Sequence, residues 1–153
     1  FDNFELPKEN YIEKGIIAKQ KYEINNNSEV IKNIDLINSL FEGDIFKIFE
    51  NLKNNQSDFA KKTYEILYKK CPMSLAISTK LISDAKGKSL KECLEKEYQL
   101  SQNVVYRDDF DNGVNSVLVS KDNNPQWSPS KIEEINIEEL NKYFESHTEK
   151  LYL

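Results

Sequence analysis

Glu97 is the carboxylate most out of place in this sequence. At about 100° per residue it falls between Leu90, Cys93, Leu94, Ser101 and Val104, inside the apolar stripe of a helical segment spanning Ser89 to Tyr106. A carboxylate in such a stripe must find donors or give up its charge. The spacing therefore predicts a buried acid with a structural role, capping a neighbouring helix or pairing with a lysine. A catalytic or ligand-orienting acid is the sharper alternative. Trp127, the only Trp, lies in a Pro-bounded loop six residues after Lys121. A cation followed by an aromatic plane could receive a phosphate and a nucleotide ring; the plainer reading is an indole that anchors the terminal segment onto the helices.

Most other chemistries lack their residues. His147 is the only histidine, and Cys71 and Cys93 share no ligand spacing, so neither a zinc site nor a Ser-His or Cys-His pair is expected. The two thiols read as small hydrophobes. Gly15, Gly43, Gly87 and Gly113 are isolated, which leaves no glycine-rich loop for an oxyanion hole, a phosphate cradle or a dinucleotide. No catalytic residue, metal ligand or cofactor site is assigned. Acidic residues outnumber basic ones 26 to 21, the formal charge is -5, and Arg107 is the only arginine among many lysines. That balance argues against direct nucleic-acid recognition, which favours Arg and basic surfaces. Lys61-Lys62 and Lys69-Lys70 read as solvated faces of one helix. No stretch approaches the roughly 18 uncharged apolar residues of a bilayer span. Phe1 stands where a Met would open a chain, so the sequence reads as part of something longer.

The elements that must position these residues are helical almost throughout, and turn chemistry is too scarce for a many-stranded fold. Three stretches organise the chain: an N-terminal helix and Asn-rich loop over 1–27, a helical region over 28–120, and a Pro/Trp loop with a terminal helix over 121–153. Ser28 can cap a helix carrying Val30, Ile31, Ile34, Ile37 and Phe41, which Gly43 closes. Asp44 opens a second with the stripe Ile45, Ile48, Phe49 and Leu52. Ser57 or Asp58 opens a third that stops before Pro72, and Pro72 seeds a fourth through Ala85. Ser89 and Glu92 have capping-box spacing at the head of the Glu97 helix. Asp109 is positioned to cap a helix through Val114, Val117 and Leu118, and a short helix is expected from Ile137 to Phe144. The sum is an all-α array of about seven or eight short helices. Phe41, Phe46, Phe49, Phe59, Tyr64, Leu67 and Tyr68 crowd three successive helices, which predicts a broad apolar face covered by another protein surface; the alternative is that the short helices bury these rings against each other.

Three stretches together resemble the C-terminal part of the 3-hydroxyisobutyryl-CoA hydrolase family, within the crotonase superfamily. They are Ser57-Asp58-Phe59-Ala60 leading to Cys71-Pro72-Met73-Ser74-Leu75, Ser89-Leu90-Lys91-Glu92 leading to Glu97-Tyr98-Gln99-Leu100-Ser101-Gln102, and Asp109-Phe110-Asp111-Asn112-Gly113-Val114 followed by Val117-Leu118, Lys121-Asp122 and Pro125-Gln126-Trp127. Order and spacing agree from about residue 28 to 144, and the third stretch is the most specific. Asn112 and Asn115 depart from the pattern, where the family more often carries Glu and Arg; their loss removes an ion pair or reflects the Asn-rich composition.

The resemblance implies the helical C-terminal part of a crotonase-type protein whose N-terminal core, the part that carries the catalytic groups, is missing from this chain. The parent would hydrolyse an acyl-CoA thioester in valine breakdown in the mitochondrion, with this chain inactive alone and Lys121 and Trp127 near the nucleotide end of CoA. Hydrolase-like members of the family also serve as non-catalytic components of the mitochondrial ribosomal small subunit. Such a role would bring the chain near nucleic acid only indirectly. Intact catalytic carboxylates in the N-terminal half would mark the enzyme, and their loss the scaffold.

Overall fold

The computed structural model describes residues 28–145; the helix expected within 1–27 and His147 lie outside them. Every regular element among the described residues is helical and no strand occurs, as the apolar periodicity predicts. The chain divides into two compact units, residues 1–37 and 38–153.

Where the spacing predicts a single helix after Ser28, there are two. The Ser28 hydroxyl accepts from the Ile31 N–H at 3.2 Å and starts α1 (Glu29–Lys32). Asn33 ends it, its side-chain amide donating to the Glu29 carbonyl at 2.8 Å, and α2 (Ile34–Leu40) follows. An Asn amide that competes for helix carbonyls is a known way to interrupt a helix.

The second unit is built on α3 (Ile45–Asn54), α4 (Asp58–Tyr68) and α5 (Pro72–Asp84), with α3 packed against both others. Gly43, at φ 96°, supplies the left-handed turn, and the Asp44 carboxylate accepts from the Lys47 N–H at 2.9 Å to cap α3. The buried positions Ile45, Ile48, Phe49 and Leu52 are the stripe read from the sequence. Ser57 caps α4 through the Ala60 N–H at 3.1 Å, and Pro72 occupies the first turn of α5, where its missing N–H costs nothing. Met73, Ala76 and Ile77 of α5 complete a core with Ile45, Phe49, Cys71, Leu100, Ile132, Ile135 and Leu140.

The aromatics of α3 and α4 do not form the broad outward face that their crowding predicts. Phe49 is buried edge-on to Tyr64 at 5.6 Å between ring centroids, and Tyr64 stacks on Tyr68 at 5.8 Å. Phe46, Phe59 and Leu67 are half-buried, and of this group only Phe41 and Tyr68 remain exposed. The short helices bury most of these rings against each other.

The rest of the unit positions the candidate site. Ser89 and Glu92 form the expected reciprocal capping box of α6 (Leu90–Val104). Next come α7 (Asp108–Val114), a π-helical turn (Asn115–Val119), an extended loop, a 3-10 turn (Ile132–Glu134) and α8 (Ile137–Lys142). The Asn136 side chain caps α8 through the Glu138 and Glu139 N–H groups. Lys96 and Asn103 of α6 donate to the Phe144 and Tyr143 carbonyls, satisfying acceptors just past the end of α8.

Candidate functional site

The most constrained loop is the one that carries Lys121. The π turn closes with the Ser120 N–H on the Asn115 carbonyl at 2.8 Å. The Asp122 carboxylate then accepts from the buried Ser116 hydroxyl at 2.6 Å, the Ser120 hydroxyl at 2.9 Å and the Asn124 N–H at 2.9 Å. Those bonds, the one from Ser116 foremost, hold the Asp122 carboxyl below the usual carboxylate range. The residues on either side, Lys121 and Asn123, sit at φ 57° and 53°, a left-handed backbone that L residues rarely adopt. Lys121 is thus an exposed cation on a backbone fixed by its neighbours.

Trp127 is seated as an anchor. Its ring packs against the core cluster and its Nε1–H donates to the Lys69 carbonyl, beyond the end of α4, at 3.2 Å. Gly113 makes room: a Cβ there would lie 3.2 Å from Trp127 Cη2. Asn112 donates to the Gln126 carbonyl at 3.0 Å, which ties the loop to α7. Lys121 does not line the 270 Å³ cavity bordered by Trp127, Cys71, Phe110 and Val114.

Arg107 is the hub that the sequence reading missed. Its side chain is 12% exposed. Nη2 donates to Asp109 Oδ2 at 2.7 Å and to the Ser128 carbonyl at 2.6 Å; Nη1 donates to Glu139 Oε1 at 2.7 Å and to the Tyr143 hydroxyl. The guanidinium also lies over the Tyr143 ring, 5.2 Å from its centroid. Burial works against the charge, but the bonds to Asp109, Glu139 and Tyr143 outweigh it and raise the Arg107 pKa further. In return, Arg107 and then Tyr143 hold the Glu139 carboxyl low, while burial first and then Glu139 push the Tyr143 hydroxyl up. Asp109 is buried inside the first turn of α7 and does not cap it, contrary to the expectation from its position. Its other oxygen accepts from the Ser128 N–H at 2.8 Å, so Arg107 and Asp109 grip Ser128 by its carbonyl and its N–H. The available signal was a lone arginine in a lysine-dominated sequence, two residues before an acid.

Glu97 is exposed, which corrects the expectation of a buried acid. The stripe exists, but α6 does not turn it inward. Leu100 is the only fully buried residue of α6, with Cys93 and Val104 half-buried and Lys96 and Asn103 nearby in projection. The centre of that inner arc is about 90° from Leu90 and about 70° from Glu97, the nearer edge of the arc of Leu90, Glu97 and Ser101. Among the described residues Glu97 has no hydrogen-bond or ion-pair partner.

Chemically, these groups hold and orient a loop. Burial pushes the Cys71 thiol up, away from the thiolate a nucleophile needs. Cys71 and Cys93 are both free thiols, and no cluster of three or more metal-ligating side chains occurs among the described residues.

A family model described as enoyl-CoA hydratase/isomerase matches residues 6–144. The chain is 34% identical over 146 residues to the mitochondrial 3-hydroxyisobutyryl-CoA hydrolase of Homo sapiens, covering 95% of this chain and 36% of that protein. It is 39% identical over 123 residues to the protein of the same name from Dictyostelium discoideum, covering 80% of this chain and 31% of that one. The chain therefore spans about a third of the length of the curated relatives it matches. Among solved structures, an enoyl-CoA hydratase from Rhodobacter sphaeroides 2.4.1 aligns with a TM-score of 0.73 and 19% identity over 87% of this chain and 41% of that one. A carnitinyl-CoA dehydratase from Mycobacterium thermoresistibile aligns with a TM-score of 0.75 and 23% identity over 82% of this chain and 36% of that one. At that identity the two structures speak for the fold.

Proposed function

The chain belongs to the enoyl-CoA hydratase/isomerase family, and on that premise we propose that it is the C-terminal helical part of an acyl-CoA thioester hydrolase similar to 3-hydroxyisobutyryl-CoA hydrolase. The parent reaction adds water to the thioester carbonyl and releases the hydroxy acid and the CoA thiol, a step of valine breakdown in the mitochondrion. In this reading the helices pack onto the parent's catalytic core and help enclose the substrate, and the isolated chain is inactive. The observation that carries it is an apolar stripe along α6 that faces outward, in a chain matching about a third of its relatives' length. Lys121 and Trp127 divide the work at the nucleotide end of CoA. Trp127, with Arg107 and Asp109, holds the loop, and the fixed, exposed Lys121 ammonium meets phosphate.

The test is a chimera of the human relative in which this chain replaces the matching last third. Release of free thiol from 3-hydroxyisobutyryl-CoA is expected from the chimera and not from the 153-residue chain alone. Lys121→Glu in the chimera should raise KM several-fold with little change in kcat. Hydrolysis by the isolated chain, above a boiled control, would refute the division of labour. A folded but inactive chimera would refute the hydrolase reading in favour of a non-catalytic structural role.

A further inference from the structure

We propose that Glu97 is a positioning residue that registers α6 against the rest of the parent polypeptide, where it meets a cationic side chain or backbone N–H donors. This rests on the reading of the chain as one part of a longer hydrolase-like protein.

At 100° per residue, Leu90, Leu94, Glu97, Ser101 and Val105 fall within about 80° of arc. They form one narrow face of α6. Leu90 is 75% exposed, Leu94 38% and Val105 43%, so the face has no apolar cover among the described residues. Glu97 stands midway along the length of this face and at one edge of its arc, also exposed and without a partner among the described residues. The other charged side chains of α6 behave differently: Glu92 caps its own helix, Glu95 pairs with Lys91, and Lys96 binds the Phe144 carbonyl.

A lone carboxylate flanked by exposed apolar positions narrows what can cover it. Whatever buries the leucines and Val105 also strips water from Glu97, and an unpaired buried carboxylate is strongly penalised. The covering surface must therefore be apolar and carry a positive or N–H group opposite position 97. A second copy of this chain fits poorly, since a two-fold contact centred on the stripe brings Glu97 against Glu97. The unmatched two thirds of the relatives' length provides a different polypeptide surface, with no such symmetry, and that is the occupant assigned here.

The experiment has two arms. In the first, sedimentation of the 153-residue chain is compared for wild type and Glu97→Leu. The wild type should stay monomeric, and the variant, whose stripe has lost its only charge, should self-associate. A wild type that dimerises, and loses the dimer on Leu90→Lys, makes this a contact between copies and overturns the proposal. Two equally monomeric proteins overturn it as well, because the face is then not adhesive. In the second arm, the chimera with the human relative carries Glu97, Glu97→Gln or Glu97→Asp. Gln keeps the size and removes the charge, so it should lower the melting temperature by about 2–4 °C, with Asp recovering part of the loss. Equal melting of the Glu and Gln chimeras, with thioesterase activity retained, overturns the role of Glu97 and leaves the hydrolase reading standing. A wild-type chimera that fails to fold removes both.

Discussion

Helices α3 and α6 begin from the same device, an apolar stripe with a period of 3.6 behind a side-chain N-cap, and they end in opposite states. In α3 the stripe Ile45, Ile48, Phe49 and Leu52 is buried, because α4 and α5 pack on it. In α6 the stripe of Leu90, Leu94 and Val105 faces outward, and the helix is held from its other side, by Leu100 in the core and by Lys96 and Asn103 reaching the carbonyls just past α8. The difference lies in which face meets a neighbour within the chain. Periodicity states how wide an apolar face is; it does not state which polypeptide will cover it.

The contrast should be largest for matched truncations of the two stripes. Leu52 is 1% exposed, so Leu52→Ala removes a fully packed side chain and should cost about 3–5 kcal/mol in urea unfolding of the chain. Leu90→Ala should stay within about 0.5 kcal/mol, since Leu90 has little cover to lose. Comparable losses at both positions would mean that the α6 stripe is covered within this chain, and the contrast would collapse.

The polar side of the comparison is tested at Arg107. Arg107→Ala leaves the buried Asp109 carboxylate without its cation and frees both Glu139 and the Ser128 carbonyl. A loss of about 2–3 kcal/mol is expected, in the range for hydrogen bonds to charged groups. Arg107→Lys should recover only part of it, because one ammonium cannot reproduce a fork that reaches Asp109, Glu139, Tyr143 and Ser128. Full recovery by Lys would show that charge alone suffices there. The change should also loosen the Trp127 loop, which a fall in Trp fluorescence anisotropy would report.

How far the sequence could be read follows the same line. The caps at Ser28, Asp44, Ser57 and Ser89 and the start at Pro72 were legible because each depends on residues within one turn. Asn33 broke an expected helix through a local bond that periodicity does not register. Asp109 looked like a cap for α7, but its partners Arg107 and Ser128 lie outside any helical periodicity, and that left the Arg107 hub hidden. The burial expected for Glu97 failed for another reason, since the width of a stripe is local information and its cover is not.

The smallest expected effect concerns charge alone. Glu139 lies beside Arg107 with its side chain 45% exposed, so solvent screens the pair and its contribution should be only about 0.2–1 kcal/mol. Its carboxyl is held low by Arg107 first and by Tyr143 second. The folded chain therefore keeps Glu139 ionised at a pH where the unfolded chain, near the ordinary value of about 4.3, has begun to protonate it. The unfolded state binds more protons in that window, so stability falls as pH drops. The contribution is fully present above the ordinary carboxylate pKa and disappears as pH falls through the depressed one. Asp122 and Glu92 are shifted the same way, but both persist in Glu139→Gln and cancel in a comparison with wild type. The difference in unfolding free energy between wild type and Glu139→Gln should thus be constant from about pH 7 to 5 and shrink below about pH 4.3. A difference that survives undiminished in acid would assign the pair's contribution to the geometry of its hydrogen bonds rather than to charge. The polar region would then resemble the apolar core in depending on fit alone.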